Sequence, residues 1–166
     1  NDGFTYPISG WINVSGKEEG NGRHFVKEQG EKVCMILEKA FSKNKKPSIF
    51  IISPYKTVVK GLRKYITEYC KHNDTKIDSD FILDLSNKKI GTVHTFQGKE
   101  ADEVIFVLGC DKSSIKSTKF VRKSIVNVAV TRGKYRLYVV GDLEVWKQNP
   151  IVNKMYQIIK ECEKSE

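Results

Sequence analysis

Residues 48–53 read SIFIIS, and this continuous β-branched and aromatic run constrains the fold more than any other feature of the chain. A strand that is apolar on both faces belongs inside a parallel sheet that helices cover. Further apolar runs at 90–93, 104–108 and 135–140, with a shorter one at 11–14, predict the other strands. The chain is therefore expected to build its core around a buried sheet.

Helical patterns separate these predicted strands. Residues 25–41 carry apolar side chains at helical spacing, and the same spacing follows Pro54 at Val58, Leu62, Ile66 and Tyr69. Three further helices are predicted at 119–130, 143–148 and 151–161. Residues 73–87 are ambiguous, with a candidate strand at 81–83.

Strands that alternate with helices imply a three-layer α/β domain, with a mainly parallel sheet and helices on both faces. In such folds ligands bind beyond the carboxyl ends of the strands, so we expect the functional residues directly after strands. The glycine-rich residues 16–22 are expected to form a loop.

The length of 166 residues suits a single domain. No apolar run approaches the roughly 20 residues that cross a bilayer, and no signal peptide is recognisable at the start of the sequence. The scattered cysteines form no close pair, which favours reduced thiols in a cytoplasmic protein over a metal or redox site. Because the sequence does not begin with Met, we expect a piece of a longer protein.

The chain is basic, with 29 Lys and Arg against 20 Asp and Glu and a formal net charge of +9. Such an excess favours a polyanionic partner, because each cation placed on a phosphate releases condensed counterions. The alternative is a solvated surface, since many lysines are spread singly along helix faces. His24 and His72 lie beside basic neighbours and are predicted to be surface residues.

Two polar segments stand out beside the predicted strands. Residues 91–100 read GTVHTFQGKE, in which the polar side chains can form hydrogen bonds and Gly98 permits a left-handed turn or a close approach to a ligand. Residues 127–134 read NVAVTRGK, where a helix is predicted to end at Gly133 with Arg132 at its terminus. The alternatives are an ordinary polar connection and a cation that complements the helix dipole.

Together, and in this order, the two segments resemble motifs V and VI of superfamily 1 helicases, closest to the branch that includes the helicases of nonsense-mediated decay. Residues 92–100 resemble the family's T-V-[DH]-x-[FA]-Q-G-x-E, and residues 127–134 resemble N-V-A-[LV]-T-R-[AG]-[KR]. Residues 53–55 resemble its [ST]-P-Y element, and residues 22–37 the preceding helix. The resemblance implies that residues 1–166 are the second RecA-like domain, of the P-loop NTPase type, of an ATP-dependent helicase or translocase.

The resemblance also implies nucleotide-binding roles. Arg132 would be the catalytic arginine finger that stabilises charge on the γ-phosphoryl group, a role that suits a planar, permanently charged guanidinium. Glu100 would hydrogen-bond the ribose or help to close the nucleotide cleft. Gln97 and Gly98 would shape the same loop.

Nucleic-acid contacts are implied for a second set of residues. Thr92, His94 and Thr95 would contact the backbone of single-stranded DNA or RNA, so that motif V would link the two ligands. Ser53 and Tyr55 are weaker candidates for contacts with the strand. Tyr55 would either stack on a base or serve in packing.

The sequence also departs from a complete helicase motor. It has no G-x-x-x-x-G-K-[ST] phosphate loop, no acidic motif for magnesium and no motif IV arginine. ATP and Mg²⁺ would therefore be bound mainly by a first RecA-like domain of the same polypeptide, and no metal site is expected in this chain. Gly133 stands where the family more often has Ala, a mild departure at a helix end.

Two other functions compete with the motor domain. A degenerate helicase-like module would bind nucleic acid or protein without hydrolysis, but it would have no use for Arg132, Gln97 and Glu100. A free-standing Rossmann-type enzyme needs a glycine-rich turn after a strand. Here Gly20-x-Gly22 begins such a pattern, but Phe25 occupies the place of the third glycine.

We expect the 166-residue chain to show no ATP turnover, because it lacks the phosphate loop and the magnesium ligands. Steady-state phosphate release, with and without single-stranded nucleic acid, measures this. Turnover by the purified chain that single strands stimulate would contradict the interpretation as half of an ATPase.

Overall fold

The described part of the chain forms a five-stranded sheet in which all strand pairings are parallel. The computed structural model describes residues 3–19 and 23–164. The strands are β1 (Gly10–Asn13), β2 (Ile49–Ile52), β3 (Ile90–Gly91), β4 (Ala101–Val107) and β5 (Gly133–Gly141). The α-helices are α1 (Lys27–Lys43), α2 (Lys56–His72), α3 (Ser79–Asp84), α4 (Lys123–Arg132), α5 (Leu143–Trp146) and α6 (Pro150–Lys164). A π-helix (Leu85–Lys89) precedes β3, and a 3-10 helix (Lys112–Phe120) precedes α4.

Helices cover the sheet on both faces, as the sequence predicted. The strand order is β1-β5-β4-β2-β3, so the chain crosses the sheet in one direction from β1 to β3 and returns from β4 to β5. Because such crossovers are right-handed, α1 and α2 lie on one face and α4 on the other. The contacts of α1 with α2 and of α4 with α6 agree with these two layers. In the described residues no helix is long and apolar enough to span a bilayer.

The predicted strands at 11–14, 48–53, 104–108 and 135–140 are confirmed, because each overlaps a strand of the sheet. The predicted strand at 90–93 is shorter in the structure, since the chain leaves the sheet after Gly91. Of the predicted glycine-rich loop, residues 20–22 lie outside the described residues.

The candidate strand at 81–83 is wrong. These residues lie in α3, where Phe81 is buried and Leu83 is exposed. Phe81 and Leu85 are both buried, and their spacing of four is helical. A buried helical stripe that continues from α3 into the π-helix therefore decides the local structure.

The cysteines are free thiols, as their spacing predicted. Burial raises the pKa of Cys34 and of Cys110 to about 12, so both stay protonated and unreactive at neutral pH. Cys70 is half-buried and Cys162 is exposed.

A buried carboxylate joins the segment before β1 to the centre of the sheet. Glu103 on β4 accepts hydrogen bonds through Oε1 from the Thr5 N–H at 2.8 Å and from the Tyr138 hydroxyl at 2.6 Å. Its Oε2 accepts from the Thr5 hydroxyl at 3.2 Å. Burial raises the pKa of Tyr138, so its hydroxyl stays protonated and remains a donor. The segment at residues 3–9 is thereby part of the folded domain.

We expect Glu103→Ala to lower the free energy of unfolding by about 1–3 kcal/mol for each donor that it leaves buried without a partner. Urea denaturation measures the change. Asp102→Ala is the matched control, because Asp102 is the half-exposed neighbour on the same strand and its loss should change stability by less than about 0.5 kcal/mol. Equal effects of the two substitutions would contradict the role of Glu103.

Candidate functional site

A cleft with a volume of about 1020 Å³ lies between α4, the loop after β3 and the chain that follows β2. One face of α4 contributes Ser124, Ile125, Val128 and Arg132. The loop contributes Thr92, Val93, His94 and Gln97. The segment after β2 contributes Pro54, Tyr55, Lys56 and Thr57. The structure therefore brings predicted nucleotide-binding and nucleic-acid-binding residues into one cleft.

Arg132 is the last residue of α4. Its Nε is buried and has no hydrogen-bond partner within the described part of the chain. Its Nη1 lies 3.5 Å from the Thr131 hydroxyl, which itself donates to the carbonyl of Asn127 at 2.7 Å. A buried donor without an acceptor is costly, so the position favours a ligand that brings its own acceptor oxygen.

The loop at residues 92–100 is anchored by one aromatic side chain. Phe96 is fully buried and stacks on Phe50 of β2, with ring centroids 4.3 Å apart. Gly98 has a φ of +73°, the left-handed conformation that the sequence suggested for it. Gln97 is exposed on the cleft, whereas Gly98 and Glu100 are exposed outside its lining.

Glu100 and Arg132 lie at the amino ends of strands. Ala101 pairs with Gly133, so the residues directly before them sit side by side where β4 and β5 begin. The expectation that functional residues directly follow strands is therefore wrong for these two. The reason is topological, because α4 returns the chain from the carboxyl ends of the strands to the amino end of β5.

The predicted nucleic-acid contacts separate into two groups. Thr92 and His94 line the cleft. Thr95 packs against Gly91, where an added Cβ would collide with its side chain. Ser53 is fully buried, and its Oγ accepts a hydrogen bond from the Tyr55 N–H at 3.3 Å.

Tyr55 is buried, and its side chain already has partners. Its ring stacks on His24 with centroids 4.4 Å apart and planes 9° apart, and its hydroxyl donates to the carbonyl of Ser117 at 2.8 Å. Burial raises the pKa of this hydroxyl. The sequence left two roles open for Tyr55, base stacking and packing, and in this structure Tyr55 serves in packing.

His24 is not the simple surface residue that the sequence predicted. It is half-buried, lines the cleft and has a φ of 72°. Its stacking partner Tyr55 is distant in sequence, and no motif or spacing signals the pair. His72 is 74% exposed and pairs with Glu68, as expected of a surface residue.

Gly133 occupies an irregular position in β5. The register shifts between the pairs Ala101–Gly133 and Glu103–Arg136, so β5 has one extra residue there, as in a β-bulge. A Cβ on Gly133 would lie 2.6 Å from the carbonyl oxygen of Arg136. The departure from the family's commoner Ala thus matches the local backbone.

The described residues contain no group of three or more His, Cys, Asp and Glu side chains that could hold a metal ion. The described side chains therefore do not provide a set of ligands that fits Mg²⁺. The cleft fits a polyanion better, because none of its described lining residues is acidic while Arg23, Lys56 and Arg132 are basic.

Comparisons with known proteins match most of the chain. The AAA domain family matches residues 6–144. The chain is 31% identical to ATP-dependent helicase NAM7 of Saccharomyces cerevisiae, over 93% of this chain and 16% of that protein. It is 31% identical to an uncharacterized ATP-dependent helicase of Methanocaldococcus jannaschii, over 92% of this chain and 20% of that protein. It is 28% identical to regulator of nonsense transcripts 1 of Dictyostelium discoideum, over 90% of this chain and 11% of that protein. The chain thus spans no more than 20% of the length of these relatives.

We expect Gly133→Ala to lower the free energy of unfolding by about 1–3 kcal/mol, because the added methyl group overpacks the bulge beside Arg132. Chemical denaturation measures the change. Gly3→Ala is the matched control, since nothing lies within 4 Å of a Cβ added there. If Gly133→Ala changes the free energy of unfolding no more than Gly3→Ala does, the bulge does not require glycine.

Proposed function

This chain belongs to the AAA domain family of the superfamily 1 helicases, and we propose that it is the second RecA-like motor domain of an ATP-dependent DNA or RNA helicase or translocase. The observation that carries the proposal is the buried, unpartnered Nε of Arg132 in a cleft that motif V also lines. The names of the relatives, which describe ATP-dependent helicases, support the class of reaction. A first RecA-like domain of the same polypeptide would be the partner.

Arg132 would act as the arginine finger. ATP would be held mainly by the first RecA-like domain, and closure of the two domains would bring the γ-phosphoryl group to the Arg132 guanidinium. Negative charge grows on that group as the bond to its leaving group breaks, and a planar cation fixed in position stabilises it. The buried Nε supports this role, because a phosphate oxygen would supply the acceptor that it lacks.

Gln97, Gly98 and Glu100 would complete the nucleotide side of the domain. Glu100 precedes β4 directly beside Arg132, so its carboxylate is within the same region of the surface. We propose that it hydrogen-bonds the ribose or helps to close the nucleotide cleft. Gly98 allows the left-handed turn that precedes Glu100.

Mg²⁺ would belong to the first domain. The described residues offer no acidic cluster for a metal, so we assign no catalytic step on this domain to the ion. The residues of this chain contribute cationic charge and hydrogen-bond donors to the nucleotide instead.

Single-stranded DNA or RNA would follow the other part of the cleft. Thr92 and His94 lie on it, in the same loop that carries Gln97. We propose that these side chains contact the nucleic-acid backbone, with Thr95 and Ser53 in supporting positions. One loop would then contact both ligands, which is the simplest physical link between hydrolysis and movement along a strand.

We propose a cytoplasmic protein. Support comes from the cysteines, which are all free thiols in the structure. Buried reduced thiols are typical of a reducing compartment.

The experiment that tests the proposed function substitutes Arg132 in the full-length protein. We expect Arg132→Ala to lower ATP turnover by about 10³-fold or more, while nucleotide affinity falls far less because the finger acts on charge of the transition state. Arg132→Lys should restore little, since a flexible point charge does not reproduce the planar fork. Steady-state turnover and equilibrium nucleotide binding are measured for each variant.

Lys134→Ala is the matched control, because Lys134 is a fully exposed cation on the same segment that does not line the cleft. Its turnover should stay within a few-fold of the wild type. Near-normal turnover of Arg132→Lys would identify Arg132 as a cation that complements the end of the helix, and not as an arginine finger. That result would favour the alternative, a helicase-like module that binds nucleic acid or protein without hydrolysing ATP.

A further inference from the structure

Three aromatic residues form a cluster at the end of the cleft that is far from Arg132. We call His24, Tyr55 and Phe120 the aromatic step. The ring of Phe120 lies 5.6 Å from that of Tyr55, which stacks on His24. Phe120 is 56% exposed. Ser124, which lines the cleft near this end, precedes Arg132 by two helical turns, a separation of about 12 Å along α4.

Tyr55 holds both other members of the aromatic step in place. Its ring supports His24, and its hydroxyl bonds the carbonyl of Ser117 in the 3-10 helix that ends at Phe120. Truncating Tyr55 would therefore loosen both His24 and Phe120. Tyr55 itself lies beneath the surface that a ligand would contact.

The backbone of His24 is held in a conformation that a non-glycine residue rarely adopts, with a φ of 72°. Its N–H donates to Glu18 Oε1 at 2.9 Å, and its carbonyl accepts from the Cys110 N–H at 2.7 Å. Glu18 in turn accepts from the Asp111 N–H at 3.0 Å. Such a conformation persists only where its surroundings fix it, so the position of the His24 ring is built into the fold.

The charges around the aromatic step favour a polyanion. Arg23 and Lys56 are exposed cations that line the same cleft. Two carboxylates, Glu18 and Asp111, lie behind the backbone of His24, but both accept hydrogen bonds from backbone N–H groups and neither belongs to the described lining of the cleft. A single exposed phenyl ring needs no explanation. An exposed ring beside a stacked pair, in a cleft that two further cations line, has the composition that single-stranded nucleic acids require of a protein surface.

We propose that the aromatic step is a base-stacking site for single-stranded nucleic acid, in which bases stack on Phe120 and His24 while Arg23 and Lys56 contact phosphates. The proposal rests on the proposed function and deepens it, because it assigns the bases as well as the backbone to this domain. Stacking uses the π-face that every base has, so the site tolerates any sequence.

Fluorescence anisotropy of the 166-residue chain with two labelled strands tests the site. One strand is a thymidine homopolymer, and the other is an abasic strand of equal length and charge. We expect Phe120→Ala to weaken binding of the thymidine strand by about 5-fold or more and to leave binding of the abasic strand unchanged. Lys56→Ala should instead reduce the slope of log affinity against log salt by about 0.7 on both strands.

Two further ring variants and one control complete the test. His24→Asn removes the ring but keeps a residue that tolerates the left-handed backbone, and it should lose affinity for the thymidine strand only. Phe120→Leu keeps an apolar side chain without a ring, and it should behave like Phe120→Ala. Leu83→Ala removes a side chain that is 76% exposed outside the cleft, and it should bind both strands as the wild type does.

The outcomes separate failure of the site from failure of the proposed function. Wild-type binding that depends on salt but not on bases, with no effect of the ring variants, overturns the stacking site and leaves the nucleic-acid path intact. No binding of either strand at low salt overturns the nucleic-acid part of the proposed function, and the stacking site with it. If the ring variants weaken binding of a fluorescent ATP analogue and spare the thymidine strand, the aromatic step contacts adenine and the proposal is wrong.

Discussion

The parallel pairing of β4 with β5 is the constraint on which the candidate site depends. It places Ala101 opposite Gly133, and so brings Glu100 and Arg132 together from distant parts of the sequence. Glu103 helps to hold this register, because a slip of one residue would turn its buried carboxylate away from the hydroxyl of Tyr138 on β5. The bulge at Gly133 then sets how the chain passes from α4 into β5.

The loop after β3 depends on the same arrangement. It leaves the carboxyl end of β3 and must reach the amino end of β4, so it passes along the height of the sheet instead of forming a tight turn. Phe96 fixes its middle on Phe50. With its centre held in the core, the polar residues on either side of Phe96 have defined positions, although several of them are exposed.

The sequence predicted the layers well because the strands are buried on both faces, which leaves continuous apolar runs such as IFII in β2. It failed at α3, where a short apolar run suited a strand and only the burial of Phe81 and Leu85 shows the helical spacing. The residues of motifs V and VI could be named from the sequence because each motif is a short, continuous segment. His24 could not be, since its role depends on a stack with Tyr55 that only the folded chain creates.

The bonds of Glu103 to Thr5 have a mechanical consequence. Chain that enters the domain meets this anchor before it reaches β1, because both the N–H and the hydroxyl of Thr5 are bound to one buried carboxylate. Tension on the chain ahead of Thr5 is therefore transmitted first to the starts of β4 and β5, where Glu103 binds Thr5 and where Phe4 packs against Tyr135 and Arg136, and only afterwards to the edge of the sheet at β1.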